Sequence, residues 1–278
     1  MKLSLKHLFS GIVIGAVLLA ASFLSLPDGK LHLVFCDVGQ GDVIYMRTPD
    51  GSDILFDGGP NDKVLTCHGK HMPFYDRTVE LVLLSHPQAD HLNGLISVLE
   101  RYNVSYFVSS GIGGTTEGYG QLKNLLTEKQ IPQKKISAGE KVGLDGVELT
   151  ILWPERNGSD PGSSFGSNDP GSSVDVNENS LVVRVGFGKF AGLLTGDTTA
   201  EILGKLGEEG KLGIEDVLKV PHHGSKFGLT GEILSWLRPK LAVISVGKNS
   251  YGHPTKEILG MLGGLGIKTM RTDLDGEV

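Results

Sequence analysis

Short hydrophobic runs alternate with glycine-containing turns over residues 30–59. Two β-rich runs, "KLHLVFCDV" and "DVIYMRTP", are joined by "GQG", and a "PDGS" turn leads into a third run, "DILFDGG", which ends in a glycine pair. Short runs of this composition between glycine-rich turns are typical of antiparallel strands. The pattern predicts a β-meander at the start of the folded part.

The period changes in the middle of the chain. "TVELVLLS" predicts a buried strand, "ADHLNGLISVLERYN" a helix, "VSYFVSS" a strand and "YGQLKNLLTEKQ" a second helix. This alternation of strands and helices indicates βαβ units, in which helices cover a parallel sheet.

The second half repeats the scheme. "VELTILWP" predicts a strand and "SLVVRVGFGKFAGLLTGD" a hairpin, after which the helices "TAEILGKLGEE", "LTGEILSWLR" and "TKEILGMLGGLG" alternate with the strands "EDVLKVPHHG" and "KLAVISVG". Two halves, each with strands followed by helices, predict an α/β protein built as an αββα four-layer sandwich. Residues 157–177 are mostly Gly, Ser, Pro and Asp and predict a flexible surface loop between the halves.

The N-terminus has a different pattern from the rest of the chain. Lys2 and Lys6 precede an apolar run from Leu8 to Leu26 that carries no charge. This pattern predicts a membrane anchor or a signal peptide over residues 1–29, and the length of the run favours the anchor. The lysines place the N-terminus inside, so we expect residues 30–278 to form one domain outside the cytoplasmic membrane, either anchored or secreted.

Composition and net charge limit the kinds of fold and of substrate recognition that suit this chain. The 278 residues are 39% hydrophobic and 21% charged, which is typical of a globular protein with a real core. The net charge of -6 argues against capture of nucleic acid by a broad cationic surface, so a polyanionic substrate would need a local cationic centre. Cys36 and Cys67 are either small buried residues or, outside the cytosol, a single bridge.

Polar side chains follow four of the predicted strands, at the point where each strand ends. In layered α/β proteins, ligands gather at the carboxyl ends of strands, so four such loops predict one site. The residues at these positions are His86, Asp90 and His91, then Asp197, then His222 and His223, and finally His253.

Imidazoles and carboxylates together suit divalent ions such as zinc or manganese, and a carboxylate such as Asp197 can bridge two ions. A metal ion with an open position activates water, so the predicted reaction is hydrolysis. A serine nucleophile at Ser85 or Ser225 fits less well, because neither lies in a G-x-S-x-G elbow. A dinucleotide site at "GQGD" is excluded, since the third glycine is missing and a strand follows.

Seven blocks carry a family resemblance. In chain order, "DVGQGD", "LFDGG", "LLSHPQADHLNGL", "NENSLVVRV", "LLTGD", "VPHHGS" and "SVGKNSYGHP" resemble the extracytoplasmic hydrolase domain of the ComEC-type competence proteins. "HPQADH" resembles the H-x-H-x-D-H signature of the metallo-β-lactamase fold. The resemblance extends from Leu31 to the end of the chain. A single apolar span stands here in place of that family's multi-helix channel, so we expect a free-standing hydrolase.

The resemblance also implies roles for individual residues. Metal ligands are implied at His86, Gln88, Asp90, His91, Asp197 and His222. Catalytic roles are implied for Asp90, which would orient water, and for His223 and His253, which would face the substrate. Either of the adjacent His222 and His223 can be the ligand, the other then holding a phosphate or protonating the leaving group. Asp37, Asp42 and Asp57 fall where the family keeps residues that support the ligands, although Asp57 suits a turn equally well.

Three features of the sequence depart from the family pattern. Gln88 stands where the signature has an imidazole or an acid, and a neutral amide is a poor ligand, so one of the two metal positions is expected to be weak. No histidine precedes Asp197; the nearest block is "NENS" at Asn177 to Ser180. The chain stops at "RTDLDGEV", where the family continues through a closing strand, which suggests a truncated gene or a fragment.

The resemblance therefore implies a metal-dependent hydrolase of phosphodiesters with one or two Zn or Mn ions. The implied substrate is nucleic acid, in connection with DNA uptake, or a choline-phosphate-type wall ester. The alternative is a non-catalytic binding domain that has lost one metal position through Gln88. The residues that favour the enzyme are the intact His86, Asp90, His91, Asp197 and His222.

Overall fold

A computed structural model of the chain describes residues 5–24, 26–155 and 175–278. Helix α1 (Leu5–Leu24) covers most of the N-terminal apolar run. Within these ranges no helix combines the length and the apolar character needed to cross a membrane. Most of the loop predicted over residues 157–177 lies outside the described residues.

The first half of the folded part contains eight strands and three helices. The antiparallel runs predicted at its start form three short strands, and the predicted βαβ units follow them. The elements are β1 (His32–Phe35), β2 (Ile44–Arg47), β3 (Asp53–Phe56), α2 (Lys63–His71), β4 (Thr78–Val79), β5 (Leu81–Leu84), α3 (Ala89–Arg101), β6 (Asn103–Val104), β7 (Phe107–Ser109), α4 (Glu117–Glu128) and β8 (Gln133–Lys135).

The second half has the same order of strands followed by helices. Its elements are β9 (Lys141–Leu144), β10 (Val147–Trp153), β11 (Val182–Phe187), β12 (Phe190–Leu194), α5 (Ala200–Glu208), β13 (Val217–Lys219), α6 (Gly231–Leu237), β14 (Leu241–Ile244), α7 (Lys256–Gly264), β15 (Lys268–Arg271) and α8 (Thr272–Asp275).

The strands form two large mixed sheets. The first has the order β1-β2-β3-β5-β7-β8, with β1 to β3 antiparallel and β3 to β8 parallel. The second has the order β15-β14-β13-β12-β11-β10-β9, with β9 to β12 antiparallel and β12 to β15 parallel. β4 and β6 form a separate parallel pair. The parallel strands of each sheet end at one edge, so the loops that follow them gather there.

Alternate residues along the strands separate the layers. In β5, Leu81 and Leu83 join the core between the two sheets, whereas Val82 and Leu84 pack against the helices of the first half. In β14, Val243 faces the central core, and its neighbours on either side face the helices of the second half. A strand whose two faces are both covered is apolar throughout, as these runs are. The predicted αββα four-layer sandwich is confirmed.

Helix α2 was not predicted from the sequence. Its buried residues, Val64, Cys67 and His68, have the spacing of one helix face, but the helix is short and rich in polar residues. A disulfide joins Cys67 to Cys36, which follows β1, with their Cα atoms 5.9 Å apart. Of the two alternatives for the cysteines, the structure shows the bridge.

Candidate metal centre

The polar residues predicted to share a site come together at the edge where the parallel strands end. His86, Asp90 and His91 follow β5 and begin α3, whereas Asp197 follows β12. The two adjacent histidines follow β13, and His253 follows β14. One sheet therefore contributes the first group and the other sheet contributes the rest, so the site lies across the opening between the two sheets.

Four of these residues form a compact cluster. Asp90, His91, Asp197 and His223 each place a potential ligand atom within 4.8 Å of the others. The Nε2 nitrogens of His91 and His223 each lie 3.4 Å from an Asp197 oxygen, and His223 Nε2 lies 3.4 Å from Asp90 Oδ2. Two ligands of one tetrahedral zinc ion, each about 2.1 Å from it, lie about 3.4 Å apart. The cluster therefore has the spacing of a first coordination shell.

Atoms without hydrogen-bond partners point into this cluster. His91 Nε2, His223 Nε2 and Asp197 Oδ1 are buried and make no hydrogen bond. Buried polar atoms are normally paired, because an unpaired one loses its hydration without compensation. Neutral imidazole nitrogens and carboxylate oxygens are suitable ligands for divalent ions. The residues present therefore fit a metal ion.

The orientation of His91 is set by Asp57. Asp57 is fully buried and has a positive φ of 61°, and its Oδ2 lies 2.8 Å from His91 Nδ1. The same carboxylate accepts hydrogen bonds from the backbone N–H and the hydroxyl of Ser85, both at 2.7 Å. Because Asp57 accepts the proton on Nδ1, the Nε2 of His91 is left to face the cluster. Asp57 thus supports a ligand, and its role is not limited to a turn.

His223 is held by an unusual backbone turn. The strand predicted over "EDVLKVPHHG" ends at Lys219, because Pro221 starts a turn in which both His222 and His223 have left-handed backbone angles, with φ of 48° and 53°. Such angles are uncommon outside glycine and often mark functional sites. His223 Nδ1 donates to the Ser245 carbonyl at 2.8 Å, which leaves Nε2 for the cluster.

Asp197 is positioned by a close contact between its loop and its neighbours. Its backbone N–H donates to Ser180 Oγ at 3.1 Å. Gly196 has a φ of +49°, and a Cβ there would lie 2.1 Å from Ser180 Oγ, so only glycine fits at this position. The "TGD" and "NENS" blocks therefore act together to direct the Asp197 carboxylate at the cluster.

Charges within the cluster favour a cation at its centre. Burial lowers the pKa of His223, but Asp197 and Asp42 outweigh this effect and raise it to about 9. Burial likewise lowers the pKa of His91, but Asp197 and Asp57 hold it well above the usual range. The two imidazoles in turn hold the pKa of Asp197 well below its usual range, although burial alone would raise it. Carboxylates that attract a proton to these imidazoles also attract a metal cation.

Comparison with known proteins decides the fold family. Residues 53–176 match the beta-lactamase superfamily domain. The chain aligns with Igni18, a metallo hydrolase from the archaeon Ignicoccus hospitalis KIN4/I, with a TM-score of 0.55 and 18% sequence identity, over 88% of this chain and 97% of that one. The chain has a metallo-β-lactamase fold.

Two curated relatives align with nearly the whole of this chain. Competence protein ComA of Neisseria gonorrhoeae is 30% identical over 275 residues, which cover 94% of this chain and 34% of that protein. ComE operon protein 3 of Bacillus subtilis (strain 168) is 26% identical over 280 residues, which cover 90% of this chain and 33% of that protein. The chain thus spans about a third of the length of the curated relatives it matches. The resemblance to ComEC-type competence proteins is confirmed.

The position with His86 and Gln88 differs from the rest of the site. His86 lies outside the four-residue cluster, although its ring centroid is 4.2 Å from that of His91 and its buried Nε2 makes no hydrogen bond. Burial and the neighbouring His91 lower the pKa of His86 to about 3, and the Gln88 side chain is near enough to oppose this shift. Gln88 is half-buried at the start of α3. That it makes one metal position weak stays a prediction.

The mouth of the site is formed by His222 and His253. His222 is half-exposed, its Nε2 lies 3.7 Å from Asp197 Oδ2, and its ring centroid is 5.5 Å from that of His253. The structure therefore places His223, rather than His222, in the cluster, because the left-handed turn directs the two side chains apart. Burial lowers the pKa of both His222 and His253 and so favours the neutral form of each imidazole.

Ser85 supports the imidazoles of the site, whereas Asp37 does not. The Ser85 hydroxyl donates to Asp57 and lies 2.9 Å from His86 Nδ1. It therefore links Asp57 to His86 and helps to fix the orientation of the His86 ring. This fully buried hydroxyl is badly placed for nucleophilic attack. Asp37 is exposed and accepts a hydrogen bond from the Gly39 N–H, so it stabilises a turn instead of supporting a ligand.

Lys219 also belongs to the site and was not predicted from the sequence. Its side chain is fully buried, and its ammonium contacts Asp42, which was expected to support the ligands. Burial lowers the pKa of Lys219, but Asp42 and Asp197 outweigh it and raise the pKa above the ordinary value. The available signal was a lysine inside the otherwise apolar run "VLKV" just before the two histidines. A second potential ligand group contains Cys67, whose sulfur is already bonded to Cys36.

Proposed function

We propose that this chain is a metal-dependent hydrolase of phosphodiesters. The observation that carries the proposal is the cluster of Asp90, His91, Asp197 and His223, whose buried ligand atoms lack hydrogen-bond partners. A mixed set of imidazoles and carboxylates suits zinc or manganese. Such an ion supplies an activated water molecule and an electrophile for a phosphoryl oxygen.

The side chains around the cluster have separate proposed roles in the reaction. Asp57 and the Ser245 carbonyl hold the two imidazoles with their Nε2 atoms toward the cluster. The imidazoles of His222 and His253 stand at the mouth, where either can donate a hydrogen bond to a phosphate oxygen, or accept a proton from the attacking water and return it to the leaving group. Asp90, which is partly exposed, is placed to orient the attacking water.

Nucleic acid is the proposed substrate class. The net charge of -6 gives no general attraction for a polyanion, so recognition depends on the local cationic centre. The ring of Tyr251 is 74% exposed and lies 5.9 Å from the His253 ring, which offers a stacking surface for a base beside the site. The names of the relatives, which include a competence protein and a recombination protein, also support a nucleic-acid substrate.

The proposed location is outside the cytoplasmic membrane, either anchored or secreted. Lys2 and Lys6 before the apolar run support this location. The Cys36–Cys67 disulfide supports it independently, since such bonds persist mainly in oxidising compartments. Protease added to intact spheroplasts should digest the chain, and full protection would contradict the proposed topology.

The activity is tested on the full chain with a panel of substrates. A labelled single-stranded oligonucleotide, bis-p-nitrophenyl phosphate and a choline phosphate ester are incubated with manganese, with zinc and with a chelator. We expect cleavage of the two phosphodiester substrates that requires added metal, with the oligonucleotide favoured. Cleavage that is unchanged in the chelator, or no cleavage of any substrate with either metal, would contradict the proposal.

A non-catalytic binding domain is the second candidate, and Gln88 is the observation that favours it. A neutral amide beside His86 weakens one of the two positions that a two-metal hydrolase would use. A binding domain would retain the oligonucleotide in a gel-shift measurement with manganese and leave it intact. The enzyme would convert the same oligonucleotide to shorter products under those conditions.

A further inference from the structure

Lys219 is a buried cation directly behind the ligand cluster. It is the last residue of β13, a strand in the middle of the second sheet, and its side chain is completely excluded from solvent. Lysine is rarely buried in this way, because removing an ammonium from water is costly unless carboxylates surround it. The position therefore requires an explanation beyond packing.

Three oxygen atoms surround the Lys219 ammonium. It forms a close ion pair with Asp42 Oδ2, donates to the Gly196 carbonyl at 2.7 Å, and lies 3.6 Å from Asp197 Oδ1. Two carboxylates and a backbone carbonyl are also the kind of ligands that a hard divalent cation prefers. The ammonium thus occupies a place that is chemically suited to a metal ion.

Asp42 links this ammonium to both cluster imidazoles. Its Oδ1 lies 3.5 Å from His223 Nδ1 and its Oδ2 lies 3.8 Å from His91 Nδ1. The same Asp197 oxygen that lies 3.6 Å from Lys219 lies 3.4 Å from His91 Nε2. Lys219 and the cluster therefore share one carboxylate, so a charge at one of them is felt at the other.

The charge balance of the site depends on Lys219. Four buried or partly buried acids lie in and behind the cluster: Asp42, Asp57, Asp90 and Asp197. Among the ion pairs of the described residues, Lys219 is the only lysine or arginine that contacts any of the four. Its fixed charge offsets that of Asp42, so that a bound metal ion has only the other three acids to balance.

We propose that Lys219 is a positioning residue that occupies a further cation site between Asp42 and Asp197 and so excludes a metal ion from that site. The inference rests on the proposed metal centre and adds which cation fills the place behind it. It also assigns a role to Asp42, which keeps the ammonium away from Asp197 and leaves that carboxylate free to bind the metal.

Two variants of the full chain test this assignment through metal content, which does not depend on activity. Lys219→Ala removes the ammonium and leaves three oxygens, so elemental analysis after dialysis against manganese should find one more ion per chain than in the wild type. Manganese should also raise the melting temperature of Lys219→Ala more than that of the wild type, since the added ion replaces a lost charge.

Asp42→Asn tests the same idea without opening a cavity. The uncompensated ammonium then competes with the metal for Asp197, so manganese affinity should fall about 10 to 100-fold, the range that outer-shell changes produce. Lys240→Ala is the matched control, because Lys240 forms a lysine–aspartate pair with Asp216 at 2.7 Å but is exposed. Its metal content and affinity should equal those of the wild type.

The outcomes separate this inference from the proposed function. The same number of bound ions in the wild type and Lys219→Ala, together with unchanged affinity in Asp42→Asn, would overturn the role of Lys219 and keep the metal centre. No bound ion in the wild type would overturn the centre itself. If Lys219→Ala does not fold with or without manganese, the manganese affinity of Asp42→Asn tests the role of Lys219 alone. A reduced affinity supports that role, and an unchanged affinity overturns it.

Discussion

His91 Nδ1 lies 2.8 Å from Asp57 Oδ2, and both side chains are fully buried. This pair determines which nitrogen of His91 faces Asp197, because the Nδ1–H donates to the Asp57 carboxylate. Through the Ser85 hydroxyl, the same carboxylate also orients His86. One aspartate at the end of β3 therefore controls two imidazoles that follow β5, and its influence on the metal can be measured.

Asp57→Asn should weaken metal binding while leaving the fold intact. Asparagine tolerates the positive φ of 61° at this position, but its amide lacks the charge that supports the Nδ1 proton of His91. We expect manganese affinity to fall about 10 to 100-fold in a calorimetric titration. Asp50→Asn, at an exposed turn position, is the control. Equal affinities in the two variants would remove Asp57 from the support of the centre.

Gln88→Asp should strengthen the metal position beside His86. A carboxylate offers a charge to a divalent cation, which the carboxamide does not. We expect a higher metal content after dialysis and, at low manganese, a hydrolytic rate higher by about 10 to 100-fold. Two tightly bound ions in the wild type would show that Gln88 or a neighbour such as Asn179 is a better ligand than its chemistry suggests. If metal content rises but no phosphodiester is cleaved, the binding-domain alternative is favoured.

Glu215 should make the folded state less stable as the pH rises from about 4.5 to about 7. Burial raises the pKa of Glu215 to about 7, although Arg184 at 2.9 Å opposes the shift. Between the two pKa values the folded chain binds more protons than the unfolded chain, so its free energy of unfolding falls with pH. The loss should be about 1 to 3 kcal/mol.

The measurement is urea unfolding of the wild type and of Glu215→Gln at a series of pH values. Relative to the glutamine variant, the wild type should lose stability across that window and show no further change above it. A difference between the two that is constant from pH 4 to pH 8 would show that Glu215 keeps an ordinary pKa in the folded chain.

The layered fold could be predicted because the hydrophobic pattern of each strand indicates which of its faces are covered. β5 is apolar at every position, as a strand covered on both faces must be, and the helices after it carry one apolar face. Helix α2 could not be predicted, because it is short and rich in polar residues and its bond to Cys36 joins residues distant in sequence. A local pattern does not contain such information.

The members of the site could be predicted from their positions at strand ends, but their arrangement could not. Nothing in "HHG" distinguishes the two histidines, and the left-handed turn that places His223 in the cluster becomes visible only in the backbone angles. Lys219 was missed for a similar reason. Its partner Asp42 is far away in sequence, so the pair that justifies a buried lysine exists only in the folded chain.

Asp197→Ala tests the central claim most directly. The Asp197 oxygens lie 3.4 Å from the Nε2 atoms of both His91 and His223, so removing the carboxylate removes the charge that the two imidazoles share. Manganese content and cleavage of a labelled single-stranded oligonucleotide are measured on the same preparation, with Asp50→Asn as the control. We expect the two to be lost together, with cleavage reduced at least about 100-fold, the upper range for single changes around a metal. Cleavage within a few-fold of the wild type, with metal content unchanged, would show that Asp197 is not part of the centre.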